Sequence, residues 1–274
     1  MNRCGIVSAC LGGPLPGKMT AWRGAHGNAI EICREDLAGL RDSQIRPALG
    51  DMRVLDIGPL KWGGLPPDLE EDQRTIVAGF LGDARYWNAK AVLVCASTHL
   101  RTIEAKITGD LQKLASWAGQ SGLDVWYEAL PWSRWDRSLE AAWRRVELVD
   151  RPNFHLMIDT WHDALCGGDP DFVRRLVQEK GRLAKIGCVQ IADYAGPEPP
   201  VERLIIAARN ERDLPGEGWM TRHMITVMRY LADAGYEGAY SAEVRNRRWR
   251  ATDPDTAAEK IRNAMGSVTS ACSE

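Results

Sequence analysis

Apolar positions in this chain gather into short runs, separated by longer stretches in which they recur at helical spacing. Runs rich in aliphatic and β-branched residues occur at Gly5–Ser8, Ala29–Cys33, Arg53–Ile57, Ala91–Cys95, Asp124–Ala129, Phe154–Asp159, Ile186–Ala192 and Ala239–Val244. Short runs of this kind predict strands. Between them, amphipathic patterns predict helices over Leu69–Trp87, Ile103–Ser121, Leu139–Val149, Pro170–Glu179 and Arg222–Gly235. In the last of these, Met224, Val227, Met228 and Leu231 fall on one helical face. Strands that alternate with helices pair in parallel, because parallel neighbours need a crossover. Eight such strands predict a single (β/α)8 barrel (TIM barrel) spanning 1–274, and no linker rich in Pro, Gly or Ser divides the chain. The first three strands carry the weakest pattern, being short and interrupted by glycine.

The stretch from Tyr194 to Trp219, with PEPP followed by ERDLPGEGW, predicts a long irregular loop after the seventh strand. Two readings stand: a decorated surface loop, or a lid, since loops after barrel strands lie on the catalytic face.

Active sites of such barrels lie at the C-terminal ends of the strands, so the polar residues that end strands are the candidates. The fifth strand, DVWYEAL, carries Glu128. The sixth, HLMIDTWH, ends on Asp159, the seventh, IGCVQIAD, offers Gln190, and the eighth, AYSAEVRN, offers Glu243. Each follows a mainly apolar run, where a charge is costly unless it is paired or binds a metal. Taken singly, Glu128 or Glu243 could be an inward acid paired with arginine, and Gln190 a buried amide. Taken together, four consecutive strands supply an oxygen-ligand set for one divalent cation. Mg²⁺ or Mn²⁺ suits it first, with Co²⁺ or Zn²⁺ as alternatives. Such an ion stabilises an enolate, with Glu128, Glu243 or a nearby histidine moving the proton.

Composition narrows the partners. Thirty-five basic against 37 acidic residues leave a formal charge of −2, so no field draws nucleic acid or anionic lipid. Seven scattered cysteines without a CxxC pair predict reduced, mostly buried thiols. There is no 18-residue apolar stretch, and MNRCGIVSACLGG lacks the apolar run of a signal peptide. The expectation is a cytoplasmic protein without a membrane partner, with an isologous homodimer as the default assembly.

The segments VWYEALPW, MIDTWHDAL, VQIAD, LPGEG and SAEVRN resemble the xylose isomerase-like sugar phosphate isomerase/epimerase superfamily. Within it, the chain is most similar to the bacterial 3-dehydroshikimate dehydratase branch. The likeness runs from VSACLGGPLPGKM through RWRATDP and implies the Glu–Asp–Gln–Glu metal set. His162, in DTWH, resembles the family histidine that contacts substrate and moves a proton, a task that suits imidazole near neutral pH. Arg209 and Arg212 resemble the arginines of the family's lid segment, whose guanidinium forks grip anions or polyols. Glu31, in AIEIC, resembles an acid near the substrate, with structural pairing as the equal reading.

Two departures bear on the substrate. The branch carries Phe-Arg-Asp after its third strand, where this chain has GPLKWGG, placing Lys61 and Trp62 at the Arg and Asp positions. A branch histidine after the fifth strand is Trp135 here. Lys61 could hold a carboxylate as a point charge, and Trp62, Trp132 and Trp135 could offer a ring platform or belong to the core. The resemblance implies a metal-dependent dehydratase (lyase) acting through an enolate on a cyclic keto-polyol such as 3-dehydroshikimate. The alternative is an isomerase or epimerase of a keto-sugar or cyclitol, which needs the same residues. Two other classes fit less well. A phosphodiesterase resembling endonuclease IV needs three zinc ions and many histidines, and this chain has five. A non-catalytic binding barrel would leave the strand-end acids without a role.

Overall fold

The computed structural model describes residues 4–272. Its strands are β1 (Cys4–Ile6), β2 (Ala29–Cys33), β3 (Arg53–Lys61), β4 (Ala91–Cys95), β5 (Asp124–Glu128), β6 (Phe154–Asp159), β7 (Ile186–Ile191) and β8 (Ala239–Ala242). All ladders are parallel, in the order β1-β8-β7-β6-β5-β4-β3-β2. A parallel bridge between Val7 and Glu31, with the Cys33 amide donating to Ser8 Oγ at 2.9 Å, joins β1 to β2 and closes the ring. The result is the (β/α)8 barrel that the strand count predicts.

The predicted helices form at Pro67–Tyr86, Glu104–Gln120, Leu139–Val149, Pro170–Gln178 and Thr221–Asp233. The last buries Met224, Val227, Met228 and Leu231, the four residues of its predicted face. The N-terminal glycine that weakens the β1 pattern has a steric reason. A Cβ on Gly5 would stand 2.8 Å from Leu55 Cδ1 and 3.0 Å from Ser241 Oγ, inside the barrel.

Strand alternation sets what the barrel interior contains, because residues two apart point the same way. Ala29, Leu93, Trp126, Met157, Cys188 and Ala239 form one apolar layer inside the ring. Two residues further along the same strands come Glu31, Cys95, Glu128, Asp159, Gln190 and Ser241, with Glu243 two beyond Ser241. The polar residues are therefore the next layer up, at the C-terminal mouth.

One expectation needs correction. The stretch Tyr194–Trp219 is not irregular throughout, for it holds a helix, Leu204–Asn210, preceded by a turn at Val201–Arg203. Leu204, Ala207 and Ala208 bury one face of that helix, and the prolines of PEPP delay its start. Asp193 fastens the remainder. Buried completely, it accepts hydrogen bonds from the amides of Tyr194, Gly216 and Met220 and from the Thr221 hydroxyl. Among the described residues, no helix is long and apolar enough to cross a membrane.

Candidate metal centre

The mouth of the barrel is a cavity of about 90 Å³ that opens to solvent. Its floor and walls include Glu31, Asp56, Cys95, Glu128, Gln190 and Glu243 from the strands. His162, Arg209 and Arg212 face it from the segments after β6 and β7, and Lys61 from the end of β3. Asp159 lies just behind this wall, 1% exposed at its side chain, and its carboxylate reaches forward through Arg212. Ligand atoms of Glu128, Asp159 and His162 all lie within 4.8 Å of one another.

Arg212 is the hub. Its guanidinium meets Asp159 Oδ2 at 2.8 Å, Glu243 Oε2 at 2.9 Å and His162 Nε2 at 2.9 Å, with the Trp161 ring beneath it at 4.6 Å. The backbone holds it there. Its amide donates to Arg245 O, and its carbonyl accepts from Asn246 Nδ2 at 2.9 Å, stapling the lid to the end of β8. A guanidinium can only donate, so His162 Nε2 accepts and Nδ1 carries the proton. That Nδ1 sits 3.2 Å from Glu128 Oε1 and 3.2 Å from Ala129 O.

Charge crowding shapes the acids. Burial alone would raise Asp159, but Arg212 and then His162 outweigh it and hold the carboxyl at about 2. Glu243 goes the other way. Burial pushes it well above the usual carboxylate range, and the lowering from Arg212 does not cancel this. Asp56 is likewise raised by burial and by the neighbouring Glu31 charge. Cys95 donates its thiol proton to Glu128 Oε2 at 2.8 Å, and burial followed by that carboxylate keeps the thiol protonated.

The residues present suit a hard divalent cation. The donors are almost all oxygen, negative charge is concentrated, and Gln190 Oε1 is buried with no donor among the described residues. A buried amide oxygen without a donor is an acceptor suited to a cation. Glu128, Asp159, Gln190 and Glu243 could supply the ligands, with His162 close enough to join them.

Most of the residues singled out from the sequence converge here: Glu31, Lys61, Glu128, His162, Gln190, Arg209, Arg212 and Glu243 line the cavity, with Asp159 behind them. Two tryptophans do not. Trp62 is 2% exposed, donates its indole N–H to Asp110 O at 2.8 Å and packs edge-on against Trp117. It turns outward because it follows Lys61 by one residue, and alternation sends it into the helix layer. Trp135 packs against the core under the Arg134 guanidinium, outside the cavity wall. The aromatic wall is Trp132, edge-on to His162 at 5.2 Å. Trp62→Phe should therefore lower stability by about 1–3 kcal/mol through the lost hydrogen bond and volume, leaving KM unchanged. Thermal melts beside steady-state kinetics check this, and a raised KM with unchanged stability would return Trp62 to the pocket.

Sequence reasoning missed Asp56 and Arg245. Asp56 follows the inward Leu55 by one residue, so alternation alone points it outward. The register irregularities flanking β3, at Ile30/Ile32 and Ile57/Leu60, are what let it reach the cavity. Arg245, two residues past Glu243, also faces the cavity, and the signal for it was the same-face spacing from Glu243.

Comparison with known proteins bears on the family and the fold. Residues 39–267 match the model of the family described as xylose isomerase-like TIM barrel. The chain is 27% identical over 276 residues to the 3-dehydroshikimate dehydratase of Pseudomonas putida, covering 95% of this chain and 41% of that protein. It thus spans about two fifths of the length of this curated relative. Among solved structures, it is similar to a xylose isomerase-like TIM barrel/4-hydroxyphenylpyruvate dioxygenase fusion protein, with a TM-score of 0.89 and 25% identity over 99% of this chain and 43% of that one. It shares its fold with the IOLI protein, solved with a bound zinc atom (TM-score 0.83, 17% identity, 99% of each chain).

Proposed function

The chain belongs to the xylose isomerase-like TIM barrel family, and from that premise we propose that it is a divalent-metal-dependent dehydratase of a cyclic keto-polyol acid, 3-dehydroshikimate being the first candidate. The observation that carries this reading is the meeting of two opposed groups in one cavity. Strand-end oxygens, including the unpaired Gln190 Oε1, gather on the inner side, and Lys61 and Arg209 stand at the wall. The first group suits a cation and hydroxyls, the second an anionic substituent.

In this reading Glu128, Asp159, Gln190 and Glu243 hold the ion. When bound, it supplies Lewis acidity that lowers the cost of negative charge on a substrate oxygen. The remaining work belongs to the chain. Lys61 and Arg209 pin the acid group, and Trp132 covers one ring face. The Glu128 carboxylate removes a proton from the carbon beside the carbonyl. His162, whose protonated Nδ1 lies 3.2 Å from Glu128 Oε1, gives that proton to the departing hydroxyl and takes in exchange the one Glu128 removed. One proton thus passes in total from carbon to oxygen, water leaves and the ring gains a double bond. Returning the proton to carbon instead would isomerise or epimerise the substrate, which is the competing outcome of the same residues.

The test is a metal-supplemented assay on dehydroshikimate beside keto-sugars, inososes and hydroxypyruvate. An ultraviolet band from an aromatic product, abolished by chelator and restored by Mn²⁺ or Mg²⁺, is the expected result. Silence on dehydroshikimate with turnover of a keto-sugar would replace the dehydratase by the isomerase.

A further inference from the structure

Glutamine is an awkward metal ligand, because its amide offers one face that ligates and one that cannot. The oxygen coordinates a cation, whereas the NH₂ group repels it, and nothing intrinsic to the side chain chooses between them. Gln190 is fully buried, so water cannot arbitrate either. We propose that Glu31 is a positioning residue that turns the Gln190 amide so that its oxygen faces the cation. The inference rests on the metal reading above and deepens it.

The geometry supporting it spans the barrel. Glu31 lies on β2 and Gln190 on β7, strands that are not neighbours in the sheet. Yet Gln190 Nε2 donates to Glu31 Oε2 at 2.8 Å, between side chains 159 residues apart and both nearly inaccessible. A carboxylate only accepts, so the NH₂ end is committed to Glu31 and Oε1 is left without a donor among the described residues. Glu31 is 2% exposed, so water does not compete for the carboxyl oxygen that Gln190 Nε2 meets. Outer partners of this kind commonly change metal affinity by about 10–100-fold.

This arrangement changes the part assigned to Glu31, from a side chain near the substrate to one that acts through Gln190.

A double-mutant cycle on Mn²⁺ affinity, measured by calorimetry without substrate, tests the proposal. Glu31→Met removes the acceptor at similar volume and should weaken Mn²⁺ binding about 10–100-fold. Glu31→Gln should retain most of the affinity, since its amide oxygen still accepts from Gln190 Nε2. In a Gln190→Ala background, Glu31→Met should cost nothing further, because the group it orients is gone. Circular dichroism on each variant checks that the barrel is intact, and Glu31→Gln keeps the test open should Glu31→Met fail to fold. Wild-type affinity in Glu31→Met, the full loss persisting in the Gln190→Ala background, or Glu31→Gln as weak as Glu31→Met would each overturn the positioning role. The metal centre would survive that outcome so long as Glu128 and Glu243 variants lose Mn²⁺. No Mn²⁺ binding by the wild type would instead remove the metal centre, and this inference with it.

Discussion

Glu243→Gln should lower kcat/KM by about 10³-fold or more and weaken Mn²⁺ binding, while leaving the barrel folded. The substitution is isosteric and removes one charge from the end of the strand that closes the site. A thousandfold corresponds to about 4 kcal/mol of lost transition-state stabilisation, within what a metal centre supplies. Stability should move in the opposite sense. Burial raises the Glu243 carboxyl well above its ordinary 4.5, so ionising it opposes folding. An acid with a raised native pKa costs stability as pH climbs from the unfolded value towards the native one. In chelator, Glu243→Gln should therefore melt at or above the wild-type temperature at neutral pH, with the difference vanishing below about pH 4. Full activity in this variant would sink the assignment of Glu243 to the metal.

Much of this site could be read from the chain because barrel strands impose a period of two. Once Trp126, Met157 and Cys188 are taken as inward, Glu128, Asp159 and Gln190 must be inward too, one layer nearer the mouth. The same rule excludes Trp62, one residue past Lys61. Ring chemistry suggested it for the pocket, but parity sends it to the helix layer, where its indole meets Asp110. Asp56 could not be read, since it reaches the cavity only through a register irregularity that leaves no mark in the hydrophobic pattern. The helix Leu204–Asn210 was hidden for a related reason. At seven residues between PEPP and the PGEG turn, it is too short to display periodicity. Arg212 was placed near the substrate by its lid motif. That it would instead bind two strand-end carboxylates depends on contacts between β6, β8 and the lid that no local pattern encodes.

That position of Arg212 leads to the second large effect. Arg212→Met should destabilise the metal-free protein by about 3–5 kcal/mol, the usual cost of leaving buried charges without their partner. Asp159 would keep a buried charge and lose the guanidinium at 2.8 Å, while Glu243 would lose its donor at 2.9 Å. A divalent cation can neutralise those same carboxylates, so Mn²⁺ should raise the melting temperature of the variant more than that of the wild type. The acid limb supplies an independent readout. In the wild type, Asp159 is held at about 2, because Arg212 and His162 outweigh the effect of burial. A depressed native pKa adds stability above the ordinary carboxylate pKa of 3.8, and that contribution is lost as pH falls towards about 2. Without Arg212 most of that pH-dependent contribution disappears, so the variant should show a flatter stability profile between about pH 4 and pH 2. Melts across pH, with chelator and with Mn²⁺, distinguish this from simple loss of packing. A core defect would cost the same stability in both media, and equal losses would show that Arg212 supports the fold without sharing its carboxylates with the ion.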